Sequence, residues 1–314
     1  MERNEYLRMS QMLRQVLMDE KPELIHAGSI QTASLIAAMS GFHPLLSMSW
    51  GYDLLMDAES TCQMRQDTRF TLDRSDVLVC DSDAVQNKAK EFGFPIGRVV
   101  KFPWGTDLQH FTPNHREADR QRLGFDDDSF VILSSRSWEQ IYGVKTIVEA
   151  FIQAAKAEPK LCLMLLGGGS QGNLLMQMVQ VGGAMGQVVF CGRKGFDELP
   201  AFYRAADIYV SASLTDGSSV SLMEALACGT PALLSAIPGN LEWVTEGLEG
   251  WFFPIGDSRQ LSEKMTAIFR KREDLAVMRQ RARRLAEERA DWAKNFQALL
   301  RAYELAMNIG RVRA

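Results

Sequence analysis

The stretch I-Y-V-S-A-S-L-T-D-G-S-S-V-S-L-M-E-A-L-A-C-G-T-P-A-L-L-S, residues 208–235, decides the fold class. Residues 208–211 and 231–235 are short apolar runs of strand length. Between them lies a loop of small polar residues and then a segment whose apolar positions recur at helical spacing. Strand, loop, helix and strand in that order make a βαβ unit, whose two strands lie parallel. Outward from this unit the alternation runs through most of the chain. A first series predicts strands at 24–27, 44–50, 76–80 and 98–102, with helices over 4–18, 32–39, 58–72 and 84–92. A second predicts strands at 130–135, 161–166, 188–191, 208–211, 231–235 and 251–253. Six strands with short connections suit a complete doubly wound domain; four do not.

Composition fits this reading. The 314 residues suggest two domains at roughly 150 residues each. With 46% hydrophobic and 24% charged residues the chain is of ordinary globular type. A net charge of -4 excludes a chain drawn to nucleic acid by its overall field. Five cysteines, odd in number and without a C-x-x-C pair, read as buried thiols of a reducing compartment. The N-terminus lacks a basic region followed by an apolar stretch, and no run of 18 apolar residues follows, so a cytoplasmic chain without a membrane span is expected. The arginine-rich stretch 270–289 is interleaved with Glu273, Asp274, Glu287 and Glu288 and reads as a solvated helix. In P-W-G-T-D-L-Q-H-F-T-P, residues 103–113, periodicity is lost and the first domain ends. The expected division is therefore 1–113, 114–290 and a last helix within 291–314.

The segment after residue 211 carries the chemistry. Its loop presents the amides of Ser218, Ser219 and Val220 at a helix N-terminus, where the macrodipole favours a phosphate. Glu224 lies about 1.5 turns into the helix. From there a carboxylate can accept hydrogen bonds from ribose hydroxyls, and Asp216 can accept them from a sugar.

Asp216, seven residues, Glu224, then A-L-A-C-G-T-P, I-P-G-N-L-E-W-V and G-W-F-F-P resemble the two-acid signature of retaining GT-B glycosyltransferases of family 4. Residues 25–28, W-G-Y-D at 50–53, the 103–113 segment, L-S-S-R at 133–136, L-L-G-G-G and F-Y-R-A-A-D-I-Y-V-S-A-S follow in family order, so the resemblance spans residues 22–306. It implies an α/β protein of two Rossmann-like domains, the N-terminal one incomplete because the family's opening βα units have no counterpart here. It implies a metal-independent hexosyltransferase that retains anomeric configuration, takes a nucleotide-sugar as substrate without a cofactor, and serves a glycan or lipid-linked acceptor. Peripheral contact with the inner face of the membrane goes with such an acceptor. By the same resemblance, Glu224 binds ribose, Asp216 the donor sugar and Arg136 the diphosphate. The amides of Ser218 to Val220 hold phosphates and sugar beside Gly217, and Gly192 and Arg193 lie near the base. Trp50, Gly51 and Asp53 form the acceptor side, where His26 at a strand end joins them. The C-terminal helix closes back on the first domain.

Four departures from the family pattern stand out. Asp216 is one methylene shorter than the usual Glu, and Ser218-Ser219 replace the common Phe-Gly. Tyr142 stands where a lysine is usual, leaving Lys145 as the nearest cation. The fourth is the missing opening segment. These departures support an alternative, a catalytically impaired nucleotide-binding partner subunit or a truncated fragment.

Other motifs compete for the chemistry. G-G-G-S-Q-G at 167–172 has dinucleotide-site spacing, but G-R-K follows the next strand instead of an acid, so only an NADP-dependent oxidoreductase survives from that reading. Asp81-Ser82-Asp83 resembles a metal-binding acid pair, against a helix cap at Ser82 or Asp83. Four scattered histidines do not make a zinc site, and no G-x-S-x-G elbow occurs.

Overall fold

The computed structural model describes residues 3–313; residues 1, 2 and 314, at the ends of the expected division, lie outside the described residues. All ten expected strands form: β1 Ile25–Gly28, β2 Leu45–Met48, β3 Val77–Cys80, β4 Val99–Lys101, β5 Phe130–Ser134, β6 Leu161–Leu166, β7 Val188–Gly192, β8 Ile208–Ser211, β9 Ala232–Ser235 and β10 Gly250–Phe253. They make two parallel sheets, one in the order β1-β2-β3-β4 and one in the order β10-β9-β8-β5-β6-β7. The fold class is thus α/β with two Rossmann-like units, as GT-B requires. One unit holds the residues up to Trp104, Thr215–Ser218 and the segment from Ala293 onward; the other holds Gly105–Leu214 and Ser219–Trp292.

The first sheet runs in sequence order with no reversal, so its crossovers wind one way and cover one face. Strand alternation shows how the other face is closed. Leu78 and Cys80 of β3 pack with Ile30, Leu54, Val85 and Ala89. Val77 and Val79, pointing the opposite way, pack with Ala298, Leu299, Ala302 and Ala306 of the C-terminal helix Trp292–Arg313. That helix supplies the layer that a singly wound sheet lacks.

The second sheet is doubly wound. Phe130 and Ile132 of β5 join a core with Val148 and Phe151 of helix Val144–Ala157, while Val131 and Leu133 join another with Leu222 and Leu226 of helix Val220–Ala227. Burial on both faces accounts for the continuous apolar runs in these strands.

Two expectations need correction. Within helix Leu275–Arg289, Arg279 donates to the carbonyls of Ala206 and Asp207, and Arg283 to those of Phe111 and Ala227, so these two arginines clamp helix ends and connecting segments instead of facing solvent. The planar, multidentate guanidinium suits that task. Among the cysteines, Cys80 and Cys228 are buried, but Cys62 opens an exposed helix end.

Candidate functional site

The second sheet reverses its winding between β5 and β8, and in open α/β sheets ligands bind beyond the carboxyl ends of strands at such a point. Arg136 follows β5, and the loop into helix Val220–Ala227 follows β8. The structure brings these together. Arg136 Nη1 donates to Ser219 Oγ at 2.8 Å and to Ser221 Oγ at 3.1 Å. Its guanidinium lies over the Tyr142 ring, 4.1 Å from the centroid. Ser221 Oγ in turn lies 2.9 Å from the Tyr209 hydroxyl. Hydroxyls and a π face therefore orient the cation.

Glu224 is the fifth residue of the same helix. Its Oε2 accepts a 2.7 Å hydrogen bond from the Tyr203 hydroxyl, which lies 2.8 Å from Ser135 Oγ. Burial pushes the Glu224 carboxyl up to about 7, against the opposing pull of the Tyr203 bond, His110 and Arg136. The acid is thus held in the second turn of the helix by the protein's own phenol.

Asp216 and Gly217 fold with the first unit, as does Ser218. There the structure corrects the sequence reading: the Ser218 amide, expected at a phosphate, donates to Asp81 Oδ2 at 2.8 Å, and Ser218 Oγ donates to the Asp81 carbonyl at 2.7 Å. The approach is so close that a Cβ on Gly217 would sit 2.1 Å from Asp81 Oδ1. Gly51, at φ +87°, adds a second demand for glycine, since its Cβ would sit 2.3 Å from the Gly217 amide nitrogen. Burial and the nearby Asp216 and Asp53 push the Asp81 carboxyl up to about 7.

The remaining expected residues divide. Trp50 is half exposed and stacks on Trp104, with centroids 6.0 Å apart. Asp53 is not open to an acceptor. It is fully buried, and its carboxylate accepts from Ser49 Oγ and from the amides of Ile30, Trp50 and Leu54, fixing the turn instead. His26 Nδ1 meets the Tyr303 hydroxyl at 2.9 Å, and burial lowers its pKa, favouring the neutral ring. Lys145 is half exposed and pairs with Glu149, one turn on, instead of joining Arg136. Gly192 closes β7 at φ +70°, its carbonyl accepting from Gly167, and the Arg193 side chain runs alongside Gly168.

The competing motifs have structural tasks. In the glycine-rich turn 167–172, the Ser170 amide and hydroxyl both donate to the Glu139 carboxylate. A turn closed on an acid does not present its amides to a pyrophosphate. Ser82 caps helix Asp83–Glu91 by accepting from the Val85 amide at 3.3 Å, as the cap reading expects. Sequence reasoning missed Tyr203, Ser135 and Ser221, and it weighed Asp81 only as half of a metal-binding pair, not as the partner of Ser218. Tyr203 had a usable signal: a tyrosine on a helix otherwise buried needs a partner for its hydroxyl.

With this geometry in view, similarity to known proteins is decisive for the family. The family model of the glycosyl transferases group 1 matches residues 115–285, more than half of the chain. The chain belongs to this family. Among relatives of this group 1 protein, D-inositol 3-phosphate glycosyltransferase of Geodermatophilus obscurus is 28% identical over 242 residues, 74% of this chain and 53% of the relative. The α-monoglucosyldiacylglycerol synthase of Streptococcus pneumoniae is 27% identical over 168 residues, 52% of this chain and 38% of that one. The chain thus spans about half the length of such curated relatives, or less. In fold it resembles HepE of Anabaena, solved with UDP and glucose, at a TM-score of 0.82, 20% identity and coverage of 94% and 80%. Sucrose-phosphate synthase of Thermosynechococcus elongatus gives a TM-score of 0.82, 20% identity and coverage of 97% and 79%.

Proposed function

We propose that this group 1 protein is a retaining, metal-independent hexosyltransferase of family 4 that moves a sugar from a nucleoside diphosphate to a glycan or lipid-linked acceptor. The observation that carries the proposal is Arg136 and Glu224 set at the switch point of the second sheet, both tied to helix Val220–Ala227. Arg136 offsets the charge that develops on the departing diphosphate, a contribution worth most where the donor is already oriented. Glu224 accepts from the ribose, Asp216 holds the donor sugar, and the amides of Ser219 and Val220 face the phosphates with Gly217 beside them. The base lies near Gly192 and Arg193, with Lys145 at the rim. The leaving phosphate takes the acceptor proton. Trp50, Gly51 and His26 serve the acceptor side.

In this reading residues 1–113 form the acceptor domain, 114–290 the donor domain, and the helix within 291–314 closes on the former. The relatives named for inositol phosphate and diacylglycerol substrates support a phosphorylated or lipid acceptor, and with the latter an enzyme at the inner face of the membrane. Among the described residues no helix is long and apolar enough to cross one.

The test is transfer from UDP-glucose and GDP-mannose to lipid and sugar acceptors in the presence of EDTA, with the product anomer read by NMR. Retention with loss of activity in Arg136→Ala supports the proposal; inversion or dependence on a divalent cation overturns it. Tyr142 at the usual lysine position favours a second reading, a nucleotide-binding partner subunit. That reading predicts nucleotide binding without transfer unless a companion protein is added.

A further inference from the structure

Tyr203 contributes something the donor-site roles above leave unused. It sits in helix Leu199–Ala205 at 1% exposure, with its hydroxyl between Glu224 Oε2 at 2.7 Å and Ser135 Oγ at 2.8 Å. A phenol has one proton to give. Facing an acceptor-only carboxylate, that proton goes to Oε2, and Ser135 must then donate to the phenol oxygen. One carboxylate oxygen is thereby committed to the protein, and the other, Oε1, is left to accept from a ligand.

We propose that Tyr203, backed by Ser135, is a positioning residue that fixes Glu224 so that Oε1 meets the vicinal hydroxyls of a nucleotide's ribose. The inference rests on Glu224 as the ribose acceptor. It makes a specific statement about pH as well. The groups facing Glu224 are Tyr203 from its helix, His110 from the segment before Pro113, Arg136 after β5 and Cys228 at the end of its own helix, with Tyr209 of β8 against Tyr203. Of these, the Tyr203 bond is the strongest influence opposing the upward push of burial on the carboxyl. Removing the phenol proton therefore moves protonation of Glu224 to higher pH.

The experiment titrates the full chain with UDP and GDP and with their 2′,3′-dideoxy forms from pH 6 to 9, comparing wild type with Tyr203→Phe, Ser135→Ala and Glu224→Ala. The expected result is that Tyr203→Phe weakens the ribonucleotide by about tenfold while leaving the dideoxy form within about twofold. Its acid limb shifts to higher pH, and Ser135→Ala follows in the same direction more weakly. Equal losses for both nucleotides, or an unshifted acid limb, overturn the inference by reducing Tyr203 to a core residue. If Glu224→Ala abolishes the wild-type preference for the ribonucleotide over its dideoxy form, the ribose reading survives that failure. If Glu224→Ala keeps that preference, or if neither nucleotide binds the wild-type chain, the ribose reading falls and the inference with it.

Discussion

The guanidinium of Arg136 lies 4.1 Å from the centre of the Tyr142 ring, which occupies the position where the family pattern expects a lysine. A missing cation has become a π face beneath the cation that remains. This contact stabilises the orientation of Arg136 by an amount of about 0.5–2 kcal/mol. Tyr142→Ala is expected to weaken nucleoside diphosphate binding by about 2- to 30-fold, the same energy expressed as an equilibrium. Tyr142→Phe keeps the ring and is expected to bind as wild type. Calorimetric titration of both variants checks this, and equal affinities across all three chains would count against it.

The buried carboxyls of Glu224 and Asp81, both pushed up to about 7, make stability depend on pH. Their ordinary values are 4.5 and 3.8, so between those values and 7 the folded chain binds more protons than the unfolded one. Their contribution is fully present at acid pH and is lost as pH rises through about 7. Glu224→Gln and Asp81→Asn remove the penalty. Relative to wild type, each variant is expected to gain melting temperature between pH 5 and pH 8, with an upper bound on the order of 3 kcal/mol per group. A constant offset between variant and wild type across that range contradicts the assignment.

Gly217 faces Asp81 so closely that Gly217→Ala drives a methyl into the carboxylate. Overpacking of this kind costs about 1–3 kcal/mol. If the clash is with Asp81, Asp81→Ala in the same chain recovers part of the loss, and a double-mutant cycle by thermal unfolding measures the coupling. Additive losses would place the strain elsewhere.

Asp207 is shared by Arg116, Arg120 and Arg279, whose guanidinium nitrogens lie within 3.3 Å of its carboxylate. Asp207→Ala leaves three cations with no shared counter-charge, and the expected loss is about 3–5 kcal/mol. Urea unfolding reads it directly. A loss under about 1 kcal/mol would show that the carbonyls around these arginines suffice alone.

Legibility in the sequence follows the range of the interactions. β5, β6 and β8 were readable because burial on both faces leaves uninterrupted apolar runs, and the Asp216–Glu224 spacing survives as a motif on one loop and helix. Ser82 was readable because a cap acts within one turn. Arg279 was not: nothing local marks an arginine that reaches carbonyls at residues 206 and 207. Asp53 differs: three of its four donors, at Ser49, Trp50 and Leu54, lie within four residues, and only the Ile30 amide reaches it from 23 residues away. Asp81 and Tyr203 act through partners 137 and 21 residues away, beyond any local spacing rule.

The central claim is that the switch point of the second sheet is a nucleotide-sugar site organised by Arg136. Thermal unfolding of the purified chain with UDP, GDP, ADP and NADP, repeated on Arg136→Ala, tests it most directly. A bound nucleotide at 100 times its dissociation constant stabilises by about 2.7 kcal/mol, a shift on the order of 5–10 °C for a domain of this size. The account predicts that shift for a nucleoside diphosphate, none for NADP, and its loss in Arg136→Ala. No shift with any nucleoside diphosphate, or a shift that survives the substitution, would contradict it.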